Sequence, residues 1–113
     1  MKHEMGLQNK WFDAIVDGYK VFELRLFDEK RRKIKPGDVI IFTSKDGREL
    51  VCRVRGLVLS DTFKNLFEII PYFKAACPNV KSQEEMLSIM EQFYPLEKQK
   101  KVGVVAINLS LED

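Results

Sequence analysis

The stretch GYKVFELR, residues 18–25, carries a lysine, a carboxylate and a guanidinium within a segment patterned like a short β-strand. Side chains two residues apart on a strand project from the same face, roughly 6.5 to 7 Å apart. Glu23 and Arg25 therefore stand side by side, with Lys20 at the start of the strand. The apolar side chains that alternate with them are expected to face the core: Phe22, Leu24 and Leu26. The charged face is either an exposed ion pair, worth less than ~1 kcal/mol, or part of a site.

The residues before this strand predict a short first strand and an amphipathic helix. Residues 2–6 are mixed in character and suit the strand. Leu7, Trp11 and Ile15 then recur at i, i+4 and i+8, which is the spacing of one helix face. Gly18 follows directly, where helices commonly end in a left-handed residue.

The residues after it predict a β-hairpin. VIIF at 39–42 is a compact apolar strand, and Asp46-Gly47 is a strong hairpin-turn signal. The partner strand, LVCRVRGLVL at 50–59, alternates until Gly56. A glycine there indicates a bulge or a barrel corner.

Two helices and a last strand complete the chain. Asp61 is the expected N-cap of the first helix, which Pro71 stops. Ser82 and Glu85 have capping-box spacing for the second, which is expected to end near Tyr94-Pro95. Both helices carry apolar stripes that we assign to the core: Phe63, Leu66, Phe67 and Ile70 in the first, and Met86, Ile89, Met90 and Phe93 in the second. The final segment, residues 101–111, alternates as a half-buried strand does.

Strands at both ends and in the middle, with helices inserted irregularly, argue against a regular parallel α/β sheet. We predict an α+β fold in which a small mixed or antiparallel β-barrel carries appended helices. The chain length of 113 residues suits one domain spanning residues 1–113.

Composition excludes several classes of protein. No apolar run approaches the ~20 residues of a membrane helix, and the N-terminal residues lack the apolar core of a signal peptide. Cys52 and Cys77 lie far apart and His3 is the only histidine, so we expect free thiols, no metal site and no cofactor. A cytoplasmic location without a membrane partner is the simplest interpretation.

Positive charge is clustered although the net charge is only +2. KRRKIK at 30–35 has five basic residues of six, and KQKK at 98–101 has three more. Each run is either a solvated segment or a phosphate contact. The modest net charge favours a discrete cleft over non-specific coating of RNA.

GYKVFELR matches the G-x-K-x-x-E-x-R signature of the ASCH domain family, a relative of the PUA RNA-binding fold. Gly18, Lys20, Glu23 and Arg25 occupy its four defined positions. The preceding helix WFDAIVDG, the basic connection DEKRRKIKPGD and the strand GDVIIF also resemble small bacterial members, so the resemblance covers residues 3–43 well.

This resemblance implies a β-barrel whose cleft is floored by the motif strand, roofed by helices, and binds RNA or a nucleotide-like ligand. Lys20, Glu23 and Arg25 would line the cleft, with the basic loop that contains Arg31 and Arg32 at its rim. Tyr19, beside the motif, is a candidate to stack on a base. Burial would lower the pKa of Lys20 and a close Glu23 would raise it, and the sequence leaves this balance open.

Two other functions remain open. One branch of the family resembles an amidohydrolase that removes the acetyl group of N4-acetylcytidine with a lysine and a threonine nucleophile. Here Lys20 is present and Glu23 occupies the threonine position, so in a hydrolase acting on such a nucleoside or on RNA, Glu23 would serve as general base for water. The third possibility is a regulatory module that binds protein.

Overall fold

The computed structural model describes residues 1–112 of the chain. Its strands are β1 (Lys2–Leu7), β2 (Phe22–Leu26), β3 (Val39–Ser44), β4 (Glu49–Ser60) and β5 (Val104–Leu111). Its helices are α1 (Asn9–Val16), α2 (Phe63–Leu66), α3 (Gln83–Phe93) and α4 (Leu96–Val102). Two short 3₁₀ turns span Arg31–Lys33 and Tyr72–Ala75.

The strands form one five-stranded mixed sheet in the order β1-β3-β4-β5-β2. β1 pairs with β3 in parallel, and every other pairing is antiparallel. The sheet curls until its two edge strands approach each other, and Arg25 Nη2 of β2 donates to the carbonyl oxygen of Gly6 in β1 at 2.8 Å. The result is a half-barrel with an open seam between β1 and β2. The predicted α+β fold, a small mixed barrel with appended helices, is confirmed.

The barrel interior holds the core, in which Ile40, Phe42 and Ile107 are fully buried. The irregularity predicted at Gly56 is confirmed as a register shift of the β4–β5 ladder between Val54 and Gly56. A bulge there bends the longest strand, and bending is how a twisted sheet is curled toward closure.

The last strand is more buried than its pattern predicts. β5 lies between β4 and β2, and Val104, Val105, Ala106 and Ile107 are all buried. The prediction of a half-buried strand was wrong for this half of β5. The strand is central in the sheet and packs on the core with one face, and α2 also contacts it.

Three helix predictions also need correction. Leu7 ends β1, where it pairs with Ser44, so α1 begins only at Asn9. The N-cap of α2 is Thr62, whose side chain accepts the Asn65 N–H, and this helix ends at Leu66 rather than near Pro71.

The sequence pattern predicts no helix at the basic run 98–101, yet this run lies in α4, which begins after Pro95. A proline just before the first helical turn suits a helix start because its missing N–H is not needed there. The predicted cap at Ser82 is confirmed, since its side chain accepts the Glu85 N–H.

Gly103 joins α4 to β5 with φ +82°, and a Cβ at this position would lie 3.2 Å from the carbonyl oxygen of Ser60. Gly18 after α1 has a similar φ of +80° but open space around its Cβ position. A positive φ strains alanine at both sites, and Gly103 has in addition a ψ of 177°, a combination that is essentially restricted to glycine. We therefore expect Gly103→Ala to lower the free energy of unfolding more than Gly18→Ala in parallel denaturant titrations. Equal losses would show that neither the backbone conformation of Gly103 nor the nearby Ser60 carbonyl adds a cost.

Candidate functional site

A cavity of about 310 Å³ lies at the open seam of the half-barrel. Its floor is formed by three residues of β2, Glu23, Leu24 and Arg25, and by Lys20, which lies two residues before β2. One side is formed by the end of β1 and the start of α1: Gly6, Leu7, Gln8 and Trp11. The other side is formed by α3 and the residue after it: Met86, Met90, Phe93 and Tyr94. Both edges of the sheet thus contribute to one cavity.

Lys20 is buried in the floor, with 3% of its surface exposed. Its Nζ donates to the carbonyl oxygens of Phe22 at 2.5 Å and Ala75 at 2.7 Å, and lies 3.3 Å from Glu23 Oε1. An ammonium group has three N–H donors, so these acceptors engage all of them. Burial lowers the pKa of Lys20 below its usual value and outweighs the Glu23 carboxylate, which raises it.

Glu23 lies between two cations and is 5% exposed. Its Oε2 accepts from Arg25 Nε at 2.6 Å, while its Oε1 faces Lys20. Burial alone would raise the pKa of Glu23, but the charges of Lys20 and Arg25 hold it below the usual value. The carboxylate is therefore ionised at neutral pH. The exposed ion pair considered for Glu23 and Arg25 is ruled out, because both side chains are largely buried.

Arg25 connects this network to the seam. Burial would lower its pKa, but the adjacent Glu23 carboxylate raises it. Nε is bound to Glu23 and Nη2 to the Gly6 carbonyl, whereas within residues 1–112 Nη1 donates to no protein group. The side chain is 13% exposed and lines the cavity. The N–H groups of Nη1 are thus donors of the motif that remain for a ligand.

Aromatic side chains border the cavity on both sides. Trp11 lies near the motif, with its ring centroid 5.6 Å from Lys20 Nζ. Phe93 and Tyr94 follow one another opposite it, with ring centroids 6.2 Å apart. Burial raises the pKa of Tyr94, so its hydroxyl stays protonated at neutral pH. The site therefore combines apolar ring faces with a fixed positive group.

The structure brings together three of the residues proposed from the sequence, Lys20, Glu23 and Arg25. Tyr19, Arg31 and Arg32 lie outside the set that lines the cavity. Arg31 instead pairs with Asp28, and Arg32 lies over Phe27.

Sequence reasoning missed the sides of the cavity. Met86 and Met90 are buried as the α3 stripe predicts, but the same stripe also borders the cavity. Phe93, assigned to the core, is 47% exposed. The available signal was that the stripe continues into Tyr94 at the helix end. No local sequence signal marks Gly6, because Gly6 contacts Arg25 and borders the cavity only where β1 approaches β2.

Residues 1–112 lack the features of two other classes of site. No helix in this range is long and apolar enough to cross a membrane. No group of three or more His, Cys, Asp or Glu side chains within the same range is arranged to hold a metal ion.

Comparisons with known proteins agree on the architecture. A crystal structure of hypothetical protein PH0355 is similar with a TM-score of 0.89 and 45% identity, covering 99% of this chain and 100% of that one. The solution NMR structure of protein PF0455 from Pyrococcus furiosus is similar with a TM-score of 0.80 and 41% identity, covering 100% and 99%. A search of curated proteins found no match. The ASCH domain model matches residues 5–112, and the chain therefore belongs to the ASCH domain family.

Proposed function

We propose that the protein binds RNA or a nucleotide-like ligand in the seam cavity. The observation that carries the proposal is the buried network of two cations and one carboxylate beneath an aromatic-sided cavity. With Lys20 protonated, as its three acceptors indicate, the network holds a net positive charge. A buried net charge is costly, and an anionic or carbonyl-rich ligand relieves that cost.

The size and surface of the cavity support a ligand of nucleotide dimensions. Its volume of about 310 Å³ lies at the small end of the ~300 to 1,000 Å³ range of ligand pockets. A base stacked on an aromatic ring contributes ~1 to 3 kcal/mol, and Trp11, Phe93 and Tyr94 supply such rings. The planar guanidinium of Arg25 suits a phosphate or a base edge.

Within this proposal the three motif residues have different roles. Arg25 contacts the ligand through Nη1. Glu23 fixes the orientation of Arg25 through Nε, and Lys20 holds Glu23 while joining β2 to the 3₁₀ turn at Ala75. Lys20 and Glu23 are thus positioning residues, since their polar atoms are already engaged by protein groups.

The alternative of a hydrolase for N4-acylated cytidine stays a prediction, and no contact within residues 1–112 favours it. A general base must be able to take a proton from water. Two cations lower the pKa of Glu23, which makes it a weaker base, and they occupy both of its oxygens. Lys20 has no free donor or lone pair while protonated. This function would be supported if the protein released acetate from N4-acetylcytidine and if both Lys20→Ala and Glu23→Ala abolished that release.

Trp11 permits a direct test because it is the only tryptophan of the chain and lines the cavity. We expect nucleoside monophosphates and short single-stranded RNA to quench its fluorescence saturably, with an affinity that falls as salt rises. In Trp11→Phe the signal is lost, while binding of a labelled RNA measured by anisotropy persists. Absence of binding, or binding indifferent to salt, would refute the proposed function.

A further inference from the structure

A third cation borders the seam cavity in addition to Lys20 and Arg25. Lys45, in the turn between β3 and β4, lines the cavity and is exposed. Among residues 1–112 it takes part in no ion pair. Its ammonium group, carried on a flexible four-carbon stem, is therefore free to contact a ligand at the mouth of the cavity.

The turn that carries Lys45 is held in place by its neighbours. Ser44 is 4% exposed, and its hydroxyl donates to the Asp46 carboxylate and accepts the Arg48 backbone N–H at 2.9 Å. Arg48 Nε donates to Asp46 at 2.9 Å, and Arg48 Nη1 donates to Asp13 of α1 at 2.7 Å. Because these bonds engage the neighbouring charges with one another, the turn is fixed against α1 while Lys45 stays unpaired.

The register of the sheet brings Lys45 to the same part of the cavity as Arg25. Arg25 Nη2 donates to the Gly6 carbonyl oxygen from β2, and Gly6 is in register with Thr43 of β3 on its other side. Lys45 follows Thr43 by two residues, which is roughly 6.5 to 7 Å along an extended chain. Arg25 and Lys45 therefore approach the cavity from opposite sides of β1.

The lining of the cavity carries an excess of positive charge. Its charged side chains among residues 1–112 are Lys20, Glu23, Arg25 and Lys45, so three cations face one carboxylate when Lys20 is protonated. Glu23 is already bound by Lys20 and Arg25. The positive groups left for a ligand are thus Arg25 Nη1 and the ammonium of Lys45.

Two unmatched positive charges suit a doubly charged anion. A phosphate monoester carries a charge of about −1.5 to −2 at pH 7, whereas a phosphodiester inside a nucleic-acid chain carries a single negative charge. The lining therefore matches the charge of a terminal phosphate better than that of an internal one.

We propose that the mouth of the cavity binds a phosphate monoester between Arg25 Nη1 and Lys45, and that Lys45 selects this terminal phosphate. The inference rests on the proposed function and specifies the anionic group of its ligand. A terminal phosphate occurs on a free nucleotide and at the phosphorylated end of a nucleic-acid chain, and the same two cations recognise either. Lys45 acts as a point charge, so Lys45→Arg should retain most of the selection.

Calorimetric titration with a nucleoside monophosphate, its methyl phosphodiester and the free nucleoside tests the charge of the ligand. Wild type should bind the monophosphate about fivefold more tightly than the diester, the upper end for an exposed ion pair. Lys45→Gln should weaken monophosphate binding by about the same factor and leave nucleoside binding unchanged.

Lys64→Gln is the matched control for this titration. Lys64 is exposed in α2, and it lines neither the seam cavity nor a smaller depression of about 220 Å³ between the end of β2 and α4. This variant removes the same charge from the protein and should bind all three probes as wild type does.

Two results would overturn the inference while leaving the proposed function in place. One is equal affinity of wild type for the monophosphate and its methyl diester. The other is a Lys45→Gln protein that keeps the wild-type preference. In both cases salt-sensitive binding that depends on Arg25 would still support the cavity as a nucleotide site. If no probe binds, both proposals fail.

A short oligonucleotide with a terminal phosphate, compared with the same chain ending in a hydroxyl, distinguishes the two sources of the monoester. Tighter binding of the phosphorylated chain, lost in Lys45→Gln, would assign the site to a chain end. Binding of the mononucleotide alone would assign it to free nucleotides. Equal binding of the two oligonucleotides would show contact with internal phosphates and overturn the inference.

Discussion

Glu23→Gln is expected to lower the free energy of unfolding by about 3 to 5 kcal/mol, the cost of leaving a buried charge without its partner. The amide preserves the shape of the side chain but removes the carboxylate that, among residues 1–112, faces both Lys20 and Arg25. Two cations then remain buried around a neutral group. Denaturant titration of both proteins, followed by far-UV circular dichroism, measures the loss.

Asp13→Asn is the matched control, because Asp13 pairs with Arg48 at 2.7 Å with about half of each side chain exposed. Exposed pairs contribute ~0 to 1 kcal/mol, so this acid-to-amide change should have little effect. Adding Lys20→Met to Glu23→Gln removes one unpaired cation and should recover part of the loss. Equal, small effects of Glu23→Gln and Asp13→Asn would contradict the buried network.

The acid dependence of stability provides an independent readout. The pKa of Glu23 is lowered from 4.5 in the folded protein, so the unfolded chain binds its proton first as pH falls. The stabilisation is complete above about pH 4.5 and is lost as pH falls through the folded-state pKa. Glu23→Gln lacks this titration, so its free energy of unfolding should fall less steeply than that of wild type on the acid side.

Arg25→Ala is expected to weaken binding of the nucleotide or RNA by roughly 30-fold or more, which corresponds to about 2 kcal/mol, the low end for truncating a buried charged hydrogen-bond partner. The change removes Nη1 from the cavity and also the bond that links β2 to the Gly6 carbonyl of β1. Arg25→Lys should restore little, because an ammonium group cannot reproduce the planar arrangement that meets Glu23 and Gly6 together.

Arg55→Ala serves as the control, since Arg55 is an exposed arginine of β4 that lines neither depression. It removes the same charge and should retain wild-type affinity within a small factor. Thermal melts distinguish lost contact from lost fold. If a folded Arg25→Ala protein binds as wild type does, Arg25 does not contact the ligand.

Local periodicity predicted much of the sheet and most of the helices correctly. The alternation in residues 22–26 predicted β2, and the compact apolar run at 39–42 predicted β3. Asp46-Gly47 predicted the turn between β3 and β4. The predictions failed where tertiary packing overrides the local pattern. Leu7 suits a helix face but pairs in β1, and the alternating residues of β5 are buried because the strand is central in the sheet.

The candidate site divides in the same way. The sequence by itself determined that Glu23 and Arg25 share one face of a strand, with Lys20 just before it, because a strand has a fixed repeat. Only the tertiary structure decided that this strand is a sheet edge, that its charges are buried and that it faces β1. The physical reason is that the deciding contacts join residues distant in sequence: Lys20 to the Ala75 carbonyl, 55 residues away, and Arg25 to the Gly6 carbonyl, 19 residues away. They form only once the sheet has curled, and local propensity carries no information about that closure.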